Sequence, residues 1–239
     1  MYYEKYKKYK TKYLELKYGG TTDDSTQLVT SIDYIKALFP KLDDEEKYKL
    51  IQIDVPSTKY ISLSYNADFT TKLIIKHMKL IDLDPKDSSI TDGTGGTGGN
   101  TLSFATFFRK VNSIEFDKNR SKYLENNVSI YGFTNVNVIN GDTVEQVKKI
   151  EDQDVVFIDP PWGGSSYKLQ KYVKLFMATT PIEDLCLDIF DSTKTKCVPK
   201  LIALKLPLNY DTKYFHSKLN KYKIKYYKLK KMLIIILTK

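Results

Sequence analysis

Residues 154–167 constrain the fold of this chain more than any other segment. They begin with a run of apolar and β-branched residues, 155–158, which is typical of a strand buried on both faces. Two prolines and two glycines follow, and they end the strand because proline cannot donate to a β-ladder and glycine frees the backbone. In open α/β sheets, ligands bind beyond the carboxyl ends of such strands. The sequence therefore predicts a binding site directly after this strand.

The residues after this strand have the chemistry to hold a flat, hydrogen-bonding substrate. Asp159 supplies a carboxylate, Pro160 a rigid carbonyl, and Trp162 is the single tryptophan of the chain. Tyr167 adds a second aromatic ring a few residues later. A Pro-Pro turn and a single tryptophan also occur in ordinary turns and cores. The functional interpretation therefore depends on a second signal elsewhere in the chain.

A glycine-rich turn upstream, residues 91–101, provides that signal. It lies between a predicted strand and a predicted helix. Its glycines let backbone amides approach a ligand that a Cβ atom would block, and the N-terminus of the following helix adds further amides. The turn lacks the Gly-Lys-Ser/Thr of a Walker phosphate loop, and it only half matches the dinucleotide fingerprint. The glycine-rich turn and the Pro-Pro-Trp segment, in this order, are more specific than either alone.

The combined pattern resembles the trimethylguanosine synthase family, whose members are class I S-adenosylmethionine-dependent enzymes that methylate N2 of the guanine in an RNA cap. The resemblance covers residues 90–211 and includes Pro-Pro-Trp-Gly-Gly-x-x-Tyr. It also includes residues 206–211, Leu-Pro-Leu-Asn-Tyr-Asp, which are similar to the family's Leu-Pro-x-Asn-x-Asp. Two positions depart from the family pattern: Asp159 stands where the family usually has Ser, and Thr94-Gly95 where it usually has Cys.

Asp-Pro-Pro-Trp is also the catalytic tetrapeptide of adenine-N6 methyltransferases. Methylation of adenine N6 in nucleic acid therefore remains an alternative, as does an inactive module that binds caps or RNA. The sequence context on both sides of the tetrapeptide, Gly163-Gly164 and Leu206-Pro207-x-Asn209, favours the cap family.

The resemblance implies that S-adenosyl-L-methionine is the cofactor. The glycine-rich turn would hold its methionine end, and Asp142 would contact the adenine amino group. Glu115, at the end of the second strand, would accept both ribose hydroxyls, as carboxylates do in dinucleotide folds. Asp117 competes with Glu115 for this role, and carboxylates at strand ends also cap helices. The expected cofactor-binding residues are Asp92, Gly93, Gly96, Gly98, Asn100, Thr101, Glu115, Phe116, Asp142, Thr143 and Asp159.

An exocyclic amine is a weak nucleophile because its lone pair is delocalised into the ring. The enzyme must hold the nitrogen in line with the sulfonium methyl and accept hydrogen bonds from its protons. We expect Asp159, Pro160 and Trp162 to be catalytic. The face of Trp162 would attract the positive charge of a 7-methylguanine ring. Either Tyr167 or a residue of the N-terminal helices would cover the other face of the base. The expected substrate-binding residues are Trp162, Gly163, Tyr167, Asn209, and Lys59 and Lys72 at the cap phosphates.

The charge distribution favours a polyanionic partner. The net charge is +9, and residues 213–239 contain nine lysines and no carboxylate. Basic ends of this kind are typical of proteins that bind nucleic acid, although an AT-rich genome also favours lysine. The two cysteines and two histidines do not match a zinc spacing. We therefore expect capped RNA as the partner, with no metal, no membrane and a monomeric state.

Three segments are predicted. Residues 1–22 form a Lys/Tyr-rich appendage of the kind seen on proteins of giant DNA viruses, and residues 23–84 a helical extension or lid. Residues 85–239 form a doubly wound, seven-stranded class I methyltransferase sheet. Without a signal peptide we expect a cytoplasmic location, the host cytoplasm or viral factory if the protein is viral. Strands are predicted over residues 89–92, 111–116, 136–140, 154–159, 200–206, 222–228 and 232–238. Helices are predicted over residues 32–39, from 43, and over 70–80, 100–108, 118–131, 143–150 and 182–190.

Overall fold

The structure, a computed structural model, describes residues 27–239. The appendage predicted over residues 1–22, and the first residues of the predicted extension, lie outside the described residues. The helices are α1 (Ile32–Leu38), α2 (Ser64–Lys79), α3 (Gly99–Ala105), α4 (Lys118–Ile130), α5 (Thr143–Gln146), α6 (Ile182–Ile189) and α7 (Thr212–Leu219). Short 3-10 helices span Glu45–Leu50, Pro56–Lys59 and Gly164–Leu169.

The strands are β1 (Ser89–Asp92), β2 (Lys110–Glu115), β3 (Val136–Asn140), β4 (Val155–Ile158), β5 (Phe176–Met177), β6 (Thr180–Pro181), β7 (Leu201–Leu206), β8 (Lys223–Lys228) and β9 (Leu233–Thr238). One sheet has the order β3-β2-β1-β4-β7-β9-β8, and β5 and β6 form a separate antiparallel pair. β2 pairs in parallel with β1 and β3, and β4 pairs in parallel with β7, whereas β9 is antiparallel to both β7 and β8. This confirms the α/β, doubly wound, seven-stranded class I methyltransferase fold with an antiparallel last strand.

The chain forms two compact units, and the first of them ends at Gly141. In this first unit, apolar residues of α1 share a hydrophobic core with those of α4. Asn127 of α4 ties three segments together. Its Nδ2 donates to the carbonyl oxygens of Gln52 and Thr97, both at 2.8 Å, and its Oδ1 accepts from Gln52 N at 2.8 Å. The helical extension is therefore part of the core that supports the glycine-rich turn.

The extension departs from the prediction in two details. Ser31 caps α1, and the helix predicted from residue 43 is a 3-10 helix that begins at Glu45 and is capped by Asp44. Helix α2 begins at Ser64, six residues before the predicted start. Its first turns expose Tyr65 and Phe69, so the apolar pattern that marks the buried face begins only further along the helix.

The second unit begins at Asp142. Its strands β4, β7 and β9 are buried along their whole length, which explains their continuous apolar sequences. The terminal hairpin of β8 and β9 is confirmed. Helix α5 is shorter than the predicted 143–150, and α7 was not predicted because only Phe215 and Leu219 mark its buried face. Among the residues described, no helix is both long and apolar enough to cross a bilayer.

Candidate active site

The glycine-rich turn needs glycine for two different reasons. Gly96 and Gly98 have left-handed backbone conformations, with φ of 55° and 113°. Residues other than glycine rarely adopt these conformations. Gly95 and Gly99 are packed too closely for a side chain. A Cβ atom would lie 2.4 Å from Ser113 Oγ at Gly95 and 2.9 Å from a backbone carbonyl oxygen at Gly99. At Gly96, by contrast, a Cβ atom would meet no atom within 4 Å. One side of the turn is therefore packed tightly against the protein at Gly95 and Gly99, and the backbone at Gly96 is open.

Asp92 anchors the start of this turn. Its fully buried carboxylate accepts hydrogen bonds from Thr94 N at 3.1 Å and from Thr101 Oγ1 at 2.7 Å. Thr101 Oγ1 also lies 2.7 Å from Ser113 Oγ. These buried bonds hold Thr101 inside the fold, where its side chain positions Asp92. Contact between Thr101 and a cofactor stays a prediction.

Glu115 holds the other side of the turn. Its Oε2 accepts from Gly96 N and its Oε1 from Asp117 N, both at 2.8 Å. Burial raises the pKa of Glu115, while these amides and the nearby Arg120 oppose that rise. The carboxylate thus lies directly beside the open glycine, and it has lone-pair positions beyond these two bonds.

The competing carboxylate, Asp117, has a structural task. It is the N-cap of α4, where its Oδ1 accepts from Asn119 N at 2.9 Å and from Arg120 N at 3.0 Å. Asn140 Nδ2 donates to the backbone carbonyl oxygen of Phe116, the residue after Glu115, at 3.1 Å. The geometry therefore favours Glu115 over Asp117 as the carboxylate that meets a ligand.

Two buried polar atoms near the turn lack a partner among the described residues: Asn100 Oδ1 and Thr97 Oγ1. Asn100 Nδ2 donates to Ser62 Oγ at 3.0 Å, which fixes the amide in place. Buried polar atoms in native proteins are almost always hydrogen-bonded. These two atoms therefore point to a polar ligand group, such as an ammonium or a hydroxyl, at the glycine-rich turn.

In the second unit, Asp142 and Thr143 begin helix α5. Asp142 is the N-cap and accepts from Val144 N at 2.9 Å, and Thr143 is buried in the first turn. Helix capping, the alternative that the sequence left open for this aspartate, is thus its structural task. Contact between Asp142 and a cofactor stays a prediction.

Asp159 forms an ion pair with Lys205. Lys205 Nζ donates to Asp159 Oδ2 at 2.6 Å, and the two side chains are only 9% and 15% exposed. Burial raises the pKa of Asp159, and the charge and hydrogen bond of Lys205 oppose that rise. The carboxylate at the Pro-Pro-Trp segment is therefore a desolvated base held in one orientation by an ammonium group.

Trp162 and Tyr167 contact each other edge to face. Their ring centroids are 5.4 Å apart and their planes are nearly perpendicular, at 88°. The contact is favourable because the positive edge of one ring meets the negative face of the other. That Tyr167 covers the second face of a base stays a prediction, and it would require the Tyr167 ring to turn parallel to the indole. Gly163 and Gly164 connect the rings in left-handed conformations, with φ of 88° and 68°.

The indole N–H of Trp162 donates to the backbone carbonyl of Lys205 at 3.4 Å. The Nζ of Lys205 lies 6.0 Å from the indole ring centroid. Trp162, Asp159 and Lys205 therefore form one cluster, which joins the end of β4 to the end of β7.

Asn209 shapes the loop that carries Tyr167. Its Nδ2 donates to the carbonyl oxygens of Tyr167 at 2.8 Å and Gln170 at 2.7 Å. Asn209 therefore holds this loop in place, and contact between Asn209 and substrate stays a prediction. Lys59 and Lys72 are exposed on the first unit, in the extension.

Sequence reasoning missed Lys205. A signal was present, because Lys205 is the only charged residue in the apolar run of β7 and lies directly before the Leu-Pro-Leu-Asn segment. Charged side chains are rarely buried unless they are paired, so a lysine in such a strand predicts a carboxylate partner. Over residues 27–239 no group of His, Cys, Asp and Glu side chains is arranged to hold a metal ion.

Comparisons with known proteins agree with this fold and identify a family. The family model for RNA cap guanine-N2 methyltransferase matches residues 88–236. An uncharacterized protein of Acanthamoeba polyphaga mimivirus is 35% identical over 222 residues, which cover 85% of each chain. Trimethylguanosine synthase of Schizosaccharomyces pombe is 32% identical over 130 residues, which cover 52% of each chain.

Two solved structures share the fold at low sequence identity. A 16S rRNA N2 guanine methyltransferase of T. thermophilus, in complex with AdoMet and guanosine, has a TM-score of 0.54 at 13% identity. The match covers 72% of this chain and 43% of that one. Precorrin-6y C5,15-methyltransferase of Geobacter metallireducens has a TM-score of 0.50 at 16% identity, over 76% of this chain and 90% of that one. With the family model matched across both the glycine-rich turn and the Pro-Pro-Trp segment, the chain belongs to the RNA cap guanine-N2 methyltransferase family.

Proposed function

We propose that this protein uses S-adenosylmethionine to methylate the exocyclic N2 amine of 7-methylguanosine in RNA caps. The first transfer gives 2,7-dimethylguanosine, and a second transfer to the same nitrogen gives 2,2,7-trimethylguanosine. The observation that carries the proposal is the cluster at the end of β4, in which a buried carboxylate lies beside a tryptophan in the Pro-Pro-Trp segment.

The residues of the glycine-rich turn fit S-adenosylmethionine. Its ammonium group can donate to Asn100 Oδ1 or Thr97 Oγ1, the buried atoms without a described partner. Its ribose hydroxyls can donate to Glu115, as carboxylates accept from ribose in dinucleotide folds. The open face at Gly96 leaves room for a ligand close to the backbone. When bound, S-adenosylmethionine supplies an electrophilic methyl group.

On the substrate side, Asp159 accepts a hydrogen bond from the amine and fixes the direction of its lone pair. A raised pKa makes Asp159 a stronger base, so it can also take the proton that the amine must lose. Lys205 holds Oδ2 in place, and its positive charge lowers the pKa of Asp159 against the effect of burial. The ring of Trp162 supplies a face for 7-methylguanine, whose positive charge gains cation–π attraction.

The cap proposal and the adenine-N6 alternative differ in how they explain the aspartate at position 159. In the cap family this position is usually Ser. A partly buried carboxylate at this position needs a positively charged partner, and Lys205 is that partner. The adenine-N6 alternative accounts for the acid directly. Family membership favours the cap. The relative in a virus of Acanthamoeba supports action on capped RNA in the cytoplasm of a host cell. We expect the enzyme to act as a monomer.

The test is a transfer assay with radiolabelled S-adenosylmethionine and three acceptors: 7-methyl-GTP, GTP, and adenine-containing RNA or DNA. We expect label in 7-methyl-GTP and much less in GTP, and mass spectrometry then counts the methyl groups added to N2. Label that enters only adenine would replace the proposal with the N6 alternative. Binding of 7-methyl-GTP with no transfer to any acceptor would identify a cap-binding module.

A further inference from the structure

Helix α2 carries an exposed stripe of aromatic and basic side chains, Tyr65, Phe69, Lys72, Lys76 and Lys79. All five are exposed, with Tyr65 at 70% and Phe69 at 45%. At 3.6 residues per turn, spacings of four, three, four and three place them on one face of the helix. The stripe is ~21 Å long, since each residue of an α-helix rises 1.5 Å.

The opposite face of α2 holds the helix firmly to the first unit. Leu73, Ile74 and Met78 are buried there. Thr71 Oγ1 lies 2.7 Å from Ser103 Oγ, and Ser103 Oγ donates to Asp68 at 3.0 Å. Asp68 is the one carboxylate in the helix sequence, and this bond ties it to α3. The stripe is therefore a basic and aromatic surface on a fixed helix.

This combination fits a single nucleic-acid strand better than a protein. Aromatic rings offer faces on which unpaired bases stack, and lysines neutralise phosphates. A protein-docking face would need a larger apolar patch with fewer lysines, because lysine is depleted at protein interfaces. Charge complementarity therefore selects a polyanion, and the two exposed rings select an unpaired strand over a duplex.

We propose that the stripe, Tyr65 to Lys79 on α2, binds single-stranded RNA. Bases would stack on Tyr65 and Phe69, and phosphates would lie along Lys72, Lys76 and Lys79. This reassigns Lys72 from the cap phosphates to the body of the RNA. The identification of that RNA as the strand following a cap rests on the proposed function, but binding of the strand does not.

The test measures fluorescence anisotropy of a labelled, uncapped, single-stranded RNA of twelve nucleotides. The double variant Tyr65→Ala with Phe69→Ala should weaken binding at least about tenfold, since stacking on each ring contributes substantially. The triple variant Lys72→Gln, Lys76→Gln and Lys79→Gln should reduce the slope of log K against log salt by about 2, because each phosphate contact contributes ~0.7.

A matched control removes the same charge elsewhere. Lys223, Lys225 and Lys228 are exposed on strand β8, and their triple change to Gln should affect binding much less. If the two triple variants lost equal RNA-binding affinity, the effect would come from net charge alone, and the proposal would be overturned. Unchanged RNA affinity in the aromatic double variant would also overturn the proposal. If that variant kept its RNA affinity but changed the sedimentation of the protein, the two rings would instead belong to a contact between copies of the chain.

Circular dichroism would check that each variant folds, which we expect because the substituted side chains are exposed. The probe carries no cap and no transfer is measured. A negative result would therefore leave the cap methylation proposal standing, and a failure of cap methylation would leave the RNA-binding result unaffected.

Discussion

At the scale of single residues, Lys205 sets the charge environment of Asp159, the carboxylate that we propose as the base. Burial raises the pKa of Asp159 and Lys205 lowers it, so the two effects partly cancel. A carboxylate in so dry a place would otherwise tend to take a proton, which would remove its ability to accept hydrogen bonds from an amine. The lysine therefore favours the charged form of a carboxylate that is largely removed from water.

Lys205→Met should raise the pKa of Asp159 further, because the neighbouring positive charge is lost. Activity requires ionised Asp159 and falls as the pH falls through that pKa, so the acidic limb of kcat/KM should move to higher pH. Lys205→Arg keeps the charge and should keep the limb near its wild-type position. The measurement is kcat/KM for 7-methyl-GTP against pH.

An acidic limb that does not move in Lys205→Met would show that Asp159 is not the group being titrated. Removing one partner of a buried pair costs about 3–5 kcal/mol of stability. The assays should therefore run well below the melting temperature of each variant.

Trp162 provides a second test at this scale. If its ring stacks on a cationic base, Trp162→Ala should abolish cap binding, and Trp162→Phe should retain part of it. The wild type should prefer 7-methyl-GTP over GTP by about 1–2 kcal/mol, the range for a desolvated cation–π contact. Quenching of the single tryptophan by each nucleotide reports this preference. Equal quenching by both would remove the cation–π argument.

At the scale of elements, the glycine-rich turn combines a packed base with an open face. Gly95 and Gly99 lie against neighbouring atoms, whereas Gly96 borders open space and donates its N–H to Glu115. Substitution at the packed positions would disturb the fold itself. Substitution at Gly96 strains the backbone but adds no close contact, so a control glycine with the same strain separates its effect on ligand binding from its effect on stability.

Gly96→Ala should weaken S-adenosylmethionine binding, since the new methyl group enters the open face. Gly132→Ala is its matched control, because Gly132 is also left-handed, with φ of 73°, and also has no atom within 4 Å of an added Cβ. Each variant should lose about 1–2 kcal/mol of stability from the strained backbone. Titration calorimetry should show weaker cofactor binding only for Gly96→Ala. The same affinity in both variants would place the cofactor elsewhere.

At the scale of the whole molecule, cofactor binding should stabilise the folded chain. A ligand at one hundred times its Kd adds ~2.7 kcal/mol, which is about 5–10 °C in Tm for a chain of this size. Glu115→Ala should lose most of this shift, because a charge-assisted bond to the ribose is worth about 1.5–3 kcal/mol.

Asp117→Ala provides the contrast. It should lower the starting Tm, since an N-cap is worth about 1 kcal/mol, yet keep the shift on adding S-adenosylmethionine. Differential scanning calorimetry measures both quantities. A normal shift in Glu115→Ala with a lost shift in Asp117→Ala would exchange the roles of the two carboxylates.

Much of the architecture follows from local sequence. The bounds of β1 and β3 were predicted without error, and the terminal hairpin to within one residue, because runs of β-branched residues end at turn-forming residues. The glycine-rich turn and the carboxylate at the end of β2 were also predicted, since both depend on residues close in sequence. Helix α7 was missed because two apolar residues are too few to reveal a period.

The composition of the site was decided by tertiary structure. Asp159 and Lys205 are 46 residues apart in sequence, and they meet because Ile158 of β4 pairs with Leu204 of β7 in parallel register. A shift of that register by one residue would turn the lysine to the other face of the sheet. The edge-to-face contact of Trp162 with Tyr167 likewise depends on a loop held by Asn209. Sequence alone identified most of the chemical groups but not Lys205, and strand register and loop closure determined which groups are partners.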